Sequence, residues 1–354
     1  MTQSVNKGLS IKSIIDRFGL ATLIITVFWF VILIVGVFNG ISFPVMLTDT
    51  VKRFGMWGIL VLAMVPSIQS GTGPNFALPV GIVCGLLAQV CAIEFGFYGL
   101  SWLLVSAFLA VLFAAVIGYI YGKLMNAVKG SEMTIATYTG FSITALFCIV
   151  WLAVPFSDPK MGWMLGEGLR ETIQLDAVGG KHILSNFCAF DIGQVAIPTG
   201  MLLVFFIACV LVWLFFRSKM GIAISAGGSN PMFAKASGLD LDRGRVIANI
   251  ISTVLGALGI IVFSQGYGYT QLYLAPLLMA FQAVAAVLIG GATAQRARIF
   301  HVIVGTLIFQ GLLANAMPVA NKLFAGTDLS DIMRMIIQNG IILYALMQVK
   351  RSGR

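Results

Sequence analysis

Apolar residues run almost unbroken through stretches of about 20 residues, separated by short polar or glycine-rich segments. The runs are 20–38, 55–70, 76–92, 98–120, 134–153, 198–217, 245–264, 275–291, 301–318 and 331–348. A helix of roughly 20 residues crosses a hydrocarbon core of about 30 Å. Backbone groups in lipid need partners within their own segment, which favours helix over irregular chain. The pattern predicts an all-α integral membrane protein of about ten transmembrane helices. A β-barrel would show segments of about ten residues with alternating polarity, and the chain does not read that way.

Composition agrees. Of the 354 residues, 59% are hydrophobic and 10% charged, and mean hydropathy is +0.99. Soluble domains carry roughly 25% charge, so this chain has too little to cover a water-facing surface of its size. The first run follows a basic head, Lys7, Lys12 and Arg17, as a secretory signal would. Its length and the absence of a small-residue cleavage site favour a retained first helix. The formal charge of +9 is not gathered into a run that would suit nucleic acid. Cys84, Cys91, Cys148, Cys188 and Cys209 form no CxxC and lie mostly in apolar runs, so they read as small buried hydrophobes.

Charge placement orients the chain. Fifteen of the 22 basic residues fall on one side if residues 1–19 are cytoplasmic, among them Lys123, Lys129, Arg217, Lys219, Lys235, Arg243, Arg245, Arg296 and Arg298. Lys52, Arg53, Lys160, Arg170, Lys181, Lys322 and Arg334 fall on the other, with most of the acids. This asymmetry predicts both termini inside. Trp57, Trp102 and Trp151 near outer ends and Trp213 near an inner end predict an aromatic belt.

Two segments are not simple spans. The outer loop 154–197 is long, mixed in charge and glycine-containing, which suits either a docking surface or a structural lid. The inner loop 218–244 is polar yet keeps Ile222, Ile224, Met232, Phe233, Ala236 and Leu239. A short amphipathic helix capped at Ser229 or Asn230, with Pro231 in its first turn, explains that pattern. Its apolar stripe would meet a partner or rest on the membrane.

Interruptions occur inside the apolar pattern. Residues 69–75, QSGTGPN, join the second and third runs, and 288–293, LIGGAT, form a comparable break in the second half. Paired breaks suggest a transport pathway and an inverted repeat of two halves; ordinary tight turns would give the same residues. Between the seventh and eighth runs, 264–271, SQGYGYTQ, offer neutral hydrogen-bonding groups and aromatic faces. They suit a polar, uncharged, ring-bearing solute or an interfacial turn. The spans hold no carboxylate pair of the sort ion-coupled carriers use. There is no GxxxxGK[ST] phosphate loop, no HExxH, and no ligand partner at helical spacing for His182 or His301. Gly81 to Gly85 matches GxxxG, which permits close helix contact.

The inner loop carries a resemblance. It reads Phe215-Phe216-Arg217-Ser218-Lys219-Met220-Gly221-Ile222-Ala223-Ile224, then Gly227-Gly228-Ser229-Asn230-Pro231, then Ala234-Lys235-Ala236-Ser237-Gly238-Leu239. With Met133–Thr137, Ala285–Gly291 and Gly305–Ile308, it resembles the permease subunit of bacterial ATP-binding-cassette (ABC) importers, most closely the ribose/galactose-type simple-sugar branch. The resemblance covers essentially the whole chain. It implies one transmembrane permease domain over 1–354 in the bacterial cytoplasmic membrane, working beside a second copy or a paralogue. It also implies ATPase subunits under the inner loop and an extracellular or periplasmic solute-binding protein. The coupling residues would be Gly227, Gly228, Ser229, Asn230, Ala234, Ala236 and Gly238. No cofactor is implied, and ATP hydrolysis would reside in the partner. Ala77 and Pro79 stand where the family usually has Asp and Ser, and Asn75 lies two residues earlier. Relatives of this type take pentoses, hexoses, furanose signalling molecules, nucleosides or flavins.

Polar residues in or beside the spans give a candidate substrate pathway: Gln69, Thr72, Asn75, Thr137, Tyr138, Gln265, Tyr267, Gln271 and Gln282. An amide such as that of Gln282 inside a span is costly without a partner, and a neighbouring helix could supply one. A stand-alone secondary carrier or channel for a neutral solute is the competing reading. A membrane-embedded enzyme would need an acid/base or metal set at membrane depth, which the sequence does not offer.

Overall fold

A computed structural model describes residues 20–156, 158–162, 168–187, 189–323, 335–336, 339–340 and 342–343. The expected N-terminal tail, 1–19, and nearly all of the tenth expected span, 331–348, lie outside the described residues. The helices are α1 (Leu20–Phe38), α2 (Phe43–Leu62), α3 (Met64–Gln69), α4 (Leu78–Glu94), α5 (Gly99–Ala127) and α6 (Glu132–Ala153). They continue as α7 (Ile183–Asn186), α8 (Thr199–Arg217), α9 (Lys219–Ser229), α10 (Pro231–Ala236), α11 (Leu241–Tyr267), α12 (Ala275–Ile289) and α13 (Ile299–Leu323). Four short strands complete the list: β1 (Thr172–Gln174), β2 (Phe190–Ile192), β3 (Val195–Ile197) and β4 (Tyr269–Gln271). Among the described residues, six helices, counting α2 and α3 as one, are long and apolar enough to cross a membrane, and three shorter apolar ones accompany them.

Nine of the ten expected runs thus fall on helices. The second begins earlier than the pattern shows, at Phe43 instead of 55, and breaks at Ala63. Asp49, Lys52 and Arg53 hid its first turns from a hydropathy reading. They sit half-buried in α2 instead of in a loop.

Helix α11 is the centre of the packing, and its neighbours approach to backbone contact. A Cβ placed on Gly81 of α4 would lie 2.4 Å from the Thr253 carbonyl oxygen, and one on Gly85 2.4 Å from that of Ala257. On another side, a Cβ on Gly122 of α5 would fall 2.9 Å from the Val246 Cα. The GxxxG of α4 is therefore a true helix crossing, and Gly118 with Gly122 supplies a second at the same spacing. Outward faces stay apolar and uncovered: Leu104, Phe108, Val116 and Ile120 on α5, Ile149 on α6 and Leu211 on α8. Such faces meet lipid or another subunit.

The described parts of the segment 154–197 do not form a free loop. Strand β1 pairs antiparallel with β4, Thr172 opposite Gln271, and β2 pairs with β3. The His182 amide donates to the Gln265 carbonyl at 2.9 Å, and the Leu184 amide to Gln265 Oε1 at 3.1 Å. Ile173, Leu175 and Val178 are buried in the main core. Of the two expected roles, the lid is the one whose packing is visible. The tryptophans require a correction: Trp57, Trp102 and Trp151 are buried in protein and form no belt. Trp102 donates from Nε1 to the Gln89 carbonyl and packs against Gly180 of the outer segment. Of these four, Trp213 alone is exposed, with the Arg217 guanidinium 4.2 Å from its ring.

Gly85→Ala is expected to destabilise the protein by about 1–3 kcal/mol through overpacking. Gly162→Ala, where nothing lies within 4 Å of an added Cβ, is expected to be neutral. Thermal unfolding in detergent measures both, and equal midpoints would refute the α4–α11 contact.

Candidate functional site

The polar residues of the interrupted segments gather at the end of the bundle that carries α9 and α10. After α3 the chain turns at residues 70–77 without regular structure. Three hydroxyls tie this joint internally. Ser67 Oγ donates to the Gly73 carbonyl at 2.6 Å, and Ser70 Oγ and Thr72 Oγ1 each donate to the Ser67 carbonyl at 2.8 Å. Asn75 is the second anchor. Its Nδ2 donates to Ser252 Oγ at 2.8 Å, and its Oδ1 accepts from Tyr121 OH and the Ala77 amide, both at 3.0 Å. Ser252 Oγ in turn donates a hydrogen bond to the Ala63 carbonyl at 2.6 Å, at the break between α2 and α3. One buried amide therefore joins the joint, α5, α11 and the helix break. Buried polar groups require such partners.

The inner loop docks on this joint. Ser218 caps α9, its Oγ accepting from the Gly221 amide at 3.2 Å. Asn230 caps α10 through the Phe233 amide at 3.0 Å, with Pro231 in the first turn, as the sequence predicts. Helix α9 itself was not legible, because the pattern of 218–230 is too polar for a span. A Cβ on Gly228 would lie 2.1 Å from the Gln69 carbonyl oxygen and 2.8 Å from the Gly71 nitrogen. The end of α9 thus touches the joint backbone to backbone. Beside it, Gln69 accepts from Ser225 Oγ at 2.8 Å and donates to the Ala297 carbonyl at 2.7 Å. Gln69 therefore links the inner loop with the second interruption, between α12 and α13.

Ion pairs close the flank of this assembly. Glu132 at the start of α6 pairs with Arg245 of α11, both largely buried. Lys129 reaches Asp242 at 2.5 Å between exposed groups. A groove of about 310 Å³ remains between them, lined by Gly71, Glu132, Gly227, Gly228 and Arg245 among others.

The remaining residues singled out from sequence fall as follows. Gly227 faces Leu241 closely, Ala234 is fully buried, and Ser229, Ala236 and Gly238 are exposed, Gly238 ending α10 with φ +75°. Thr72 and Asn75 are buried in the joint with Gln69 beside them. Thr137 bonds the Met133 carbonyl of its own helix, and Tyr138 is 64% exposed on α6. Gln265, Tyr267 and Gln271 lie at the opposite end, and Gln282 is half-buried in α12. The nine pathway candidates are therefore not brought together: Gln69, Thr72 and Asn75 lie at one end, Gln265, Tyr267 and Gln271 at the other, and Gln282 midway along α12. Ser225 and Ala297 were missed, since a lone serine and a main-chain carbonyl leave no signal in the sequence.

Both interruptions lie at one end. A two-fold axis in the membrane plane would carry one end to the other, so this pair does not argue for an inverted repeat.

A family model described as "branched-chain amino acid transport system / permease component" matches residues 46–346. No curated protein matches the chain. A solved structure described as an inward-facing, metal-chelate type ABC transporter is similar at 15% identity and a TM-score of 0.48. The match covers 95% of this chain and 99% of that one.

Asn75→Ala would leave Ser252, Tyr121 and the Ala77 amide short of a buried partner. It is expected to cost about 1–3 kcal/mol, read as a lower unfolding midpoint in detergent. A variant that melts with the parent would remove Asn75 from this structural role.

Proposed function

The chain belongs to the permease-component family of branched-chain amino acid transport systems, and from that premise we propose that it is the membrane subunit of an ABC importer. It moves a small polar solute, a sugar or sugar-like compound, inward across the bacterial cytoplasmic membrane. The end carrying α9 and α10 faces the cytoplasm, as do both termini. A separate ATPase subunit docks on α10, and a second permease, identical or paralogous, completes the pore. An extracellular or periplasmic binding protein delivers solute at the opposite end.

The observation that carries this reading is the seat of Gly228 on Gln69 and Gly71. Helix α10 offers Met232 and Phe233, 84% and 64% exposed, as an apolar tip for a partner, while the other end of the same loop presses on the joint. A force on the tip reaches α3 and α4 through backbone contact, and reaches the α12–α13 joint through Gln69 and Ala297. A permease driven this way needs no ionisable group at membrane depth. A stand-alone carrier would leave the exposed tip without a purpose.

Purification of the tagged subunit in mild detergent after crosslinking in intact cells is expected to recover an ATPase. Met232→Asp with Phe233→Asp, which changes only exposed side chains, is expected to lower that recovery about tenfold or more, as loss of a hydrophobic anchor does. Gly228→Val is expected to keep the ATPase bound but abolish its coupling to uptake. Recovery of this chain alone, with uptake intact in energised vesicles, would overturn the importer reading.

A further inference from the structure

At the end opposite α9 and α10, a cavity of about 310 Å³ lies between the first turns of α2, the last of α11 and the body of α13. Its lining includes Asp49, Lys52, Arg53, His182, Tyr267 and Pro318. The volume is at the lower end of what small-molecule sites enclose. Its charge is unusual in two ways. Lys52 and Arg53 are neighbours in sequence on the side where the chain carries few basic residues, against the tendency of membrane proteins to keep cations inside. Both are half-buried, and neither forms an ion pair among the described residues, nor does Asp49. Half-buried cations without an ion pair among the described residues favour an anion placed beside them.

His182 adds to the wall. It holds a left-handed backbone, φ +56°, rare for a residue with a side chain, and its amide donates to the Gln265 carbonyl. Its Nδ1 is buried without a hydrogen-bond partner among the described residues. Burial, and then the charges of Lys52 and Lys181, push the imidazole below its usual range. Asp176 opposes this, and the balance favours the neutral imidazole. Two cations, one carboxylate, a neutral imidazole and a tyrosine leave the cavity net positive, with the Arg53 fork suited to a carboxylate.

We propose that this cavity binds the carboxylate of a small organic acid, with Lys52 and Arg53 as its counter-charges and His182 and Tyr267 as neutral partners. Resting on the importer reading, this narrows the cargo from a neutral sugar to a solute with an acidic group, such as a sugar acid.

The test uses the full-length chain, delipidated in detergent, with radiolabelled D-glucuronate and D-glucose as a matched pair at constant ionic strength. Equilibrium dialysis is expected to show saturable glucuronate binding and no glucose binding. Lys52→Gln and Arg53→Gln are each expected to weaken glucuronate roughly tenfold, the cost of one charge-assisted hydrogen bond. Lys129→Gln, at the other end, is expected to leave it unchanged, and thermal unfolding checks that all three variants fold. Equal binding of the two sugars, binding of neither, or full affinity in both cavity variants would overturn the proposal. So would stabilisation by phosphatidylglycerol that glucuronate does not reproduce, which would assign the cations to a lipid headgroup. The outcome is separable from ATPase recovery: a chain that binds glucuronate but recovers no ATPase keeps the site and loses the importer.

Discussion

Backbone-to-backbone contact along α11 is the constraint from which the rest of the structure follows. In lipid, helices gain little from hiding apolar surface against one another, so close packing and hydrogen bonds must hold them. Here α4 and α5 each turn a glycine pair toward α11, and α11 returns Gly256 and Gly259 toward Leu78 and Leu60. Nothing larger than hydrogen fits at the tightest of these positions. This places Ser252 of α11 beside the joint that follows α3, close enough for Asn75 to reach it at 2.8 Å. The polar joint can thus exist only because the apolar crossing brings its partners within range.

The joint answers a second constraint. A chain that leaves helical geometry within an apolar bundle exposes amides and carbonyls that water does not reach. Ser67, Ser70 and Thr72 satisfy these locally, and Asn75 does so across helices. The same groups bind the joint internally at the surface on which Gly228 of α9 sits. Structural satisfaction is a sufficient explanation for the polarity at Asn75 that a sequence reading assigns to a solute pathway.

How much was legible follows from what a linear pattern can record. Hydropathy marks a span by its apolar middle, so nine runs fall on helices, while the start of α2 was hidden by Asp49, Lys52 and Arg53. Capping chemistry is local, and Asn230 with Pro231 announced α10 from adjacent residues. The GxxxG of α4 was visible, but its partner on α11 was not, because a contact between Gly85 and Ala257 has no signature in either segment alone. Trp57, Trp102 and Trp151 misled for the same reason. Their positions near expected span ends fit a lipid interface, yet the outer segment covers Trp102 and Trp151 while Trp57 packs against Phe263 of α11, and a sequence does not say what covers a residue. Gln69 was singled out as polar in an apolar setting, and the structure gives it partners 156 and 228 residues away.

The tight contacts also decide where movement can be taken up. A Cβ on Gly221 would meet the Phe215 carbonyl at 2.2 Å, fixing the corner between α8 and α9. Gly227 against Leu241 and Gly228 against Gln69 fix the other end of α9. A helix held at both ends by contacts this short has no slack of its own. Close-packed interiors switch between arrangements instead of deforming smoothly. On the proposed importer reading, a displacement at Met232 and Phe233 would pass into α8, α11 and the α3–α4 joint together. Because the joint is bound within itself and to α11, α3 and α4 would follow as one body. Under that proposal the inner loop shares its movement among three parts of the bundle from the first contact.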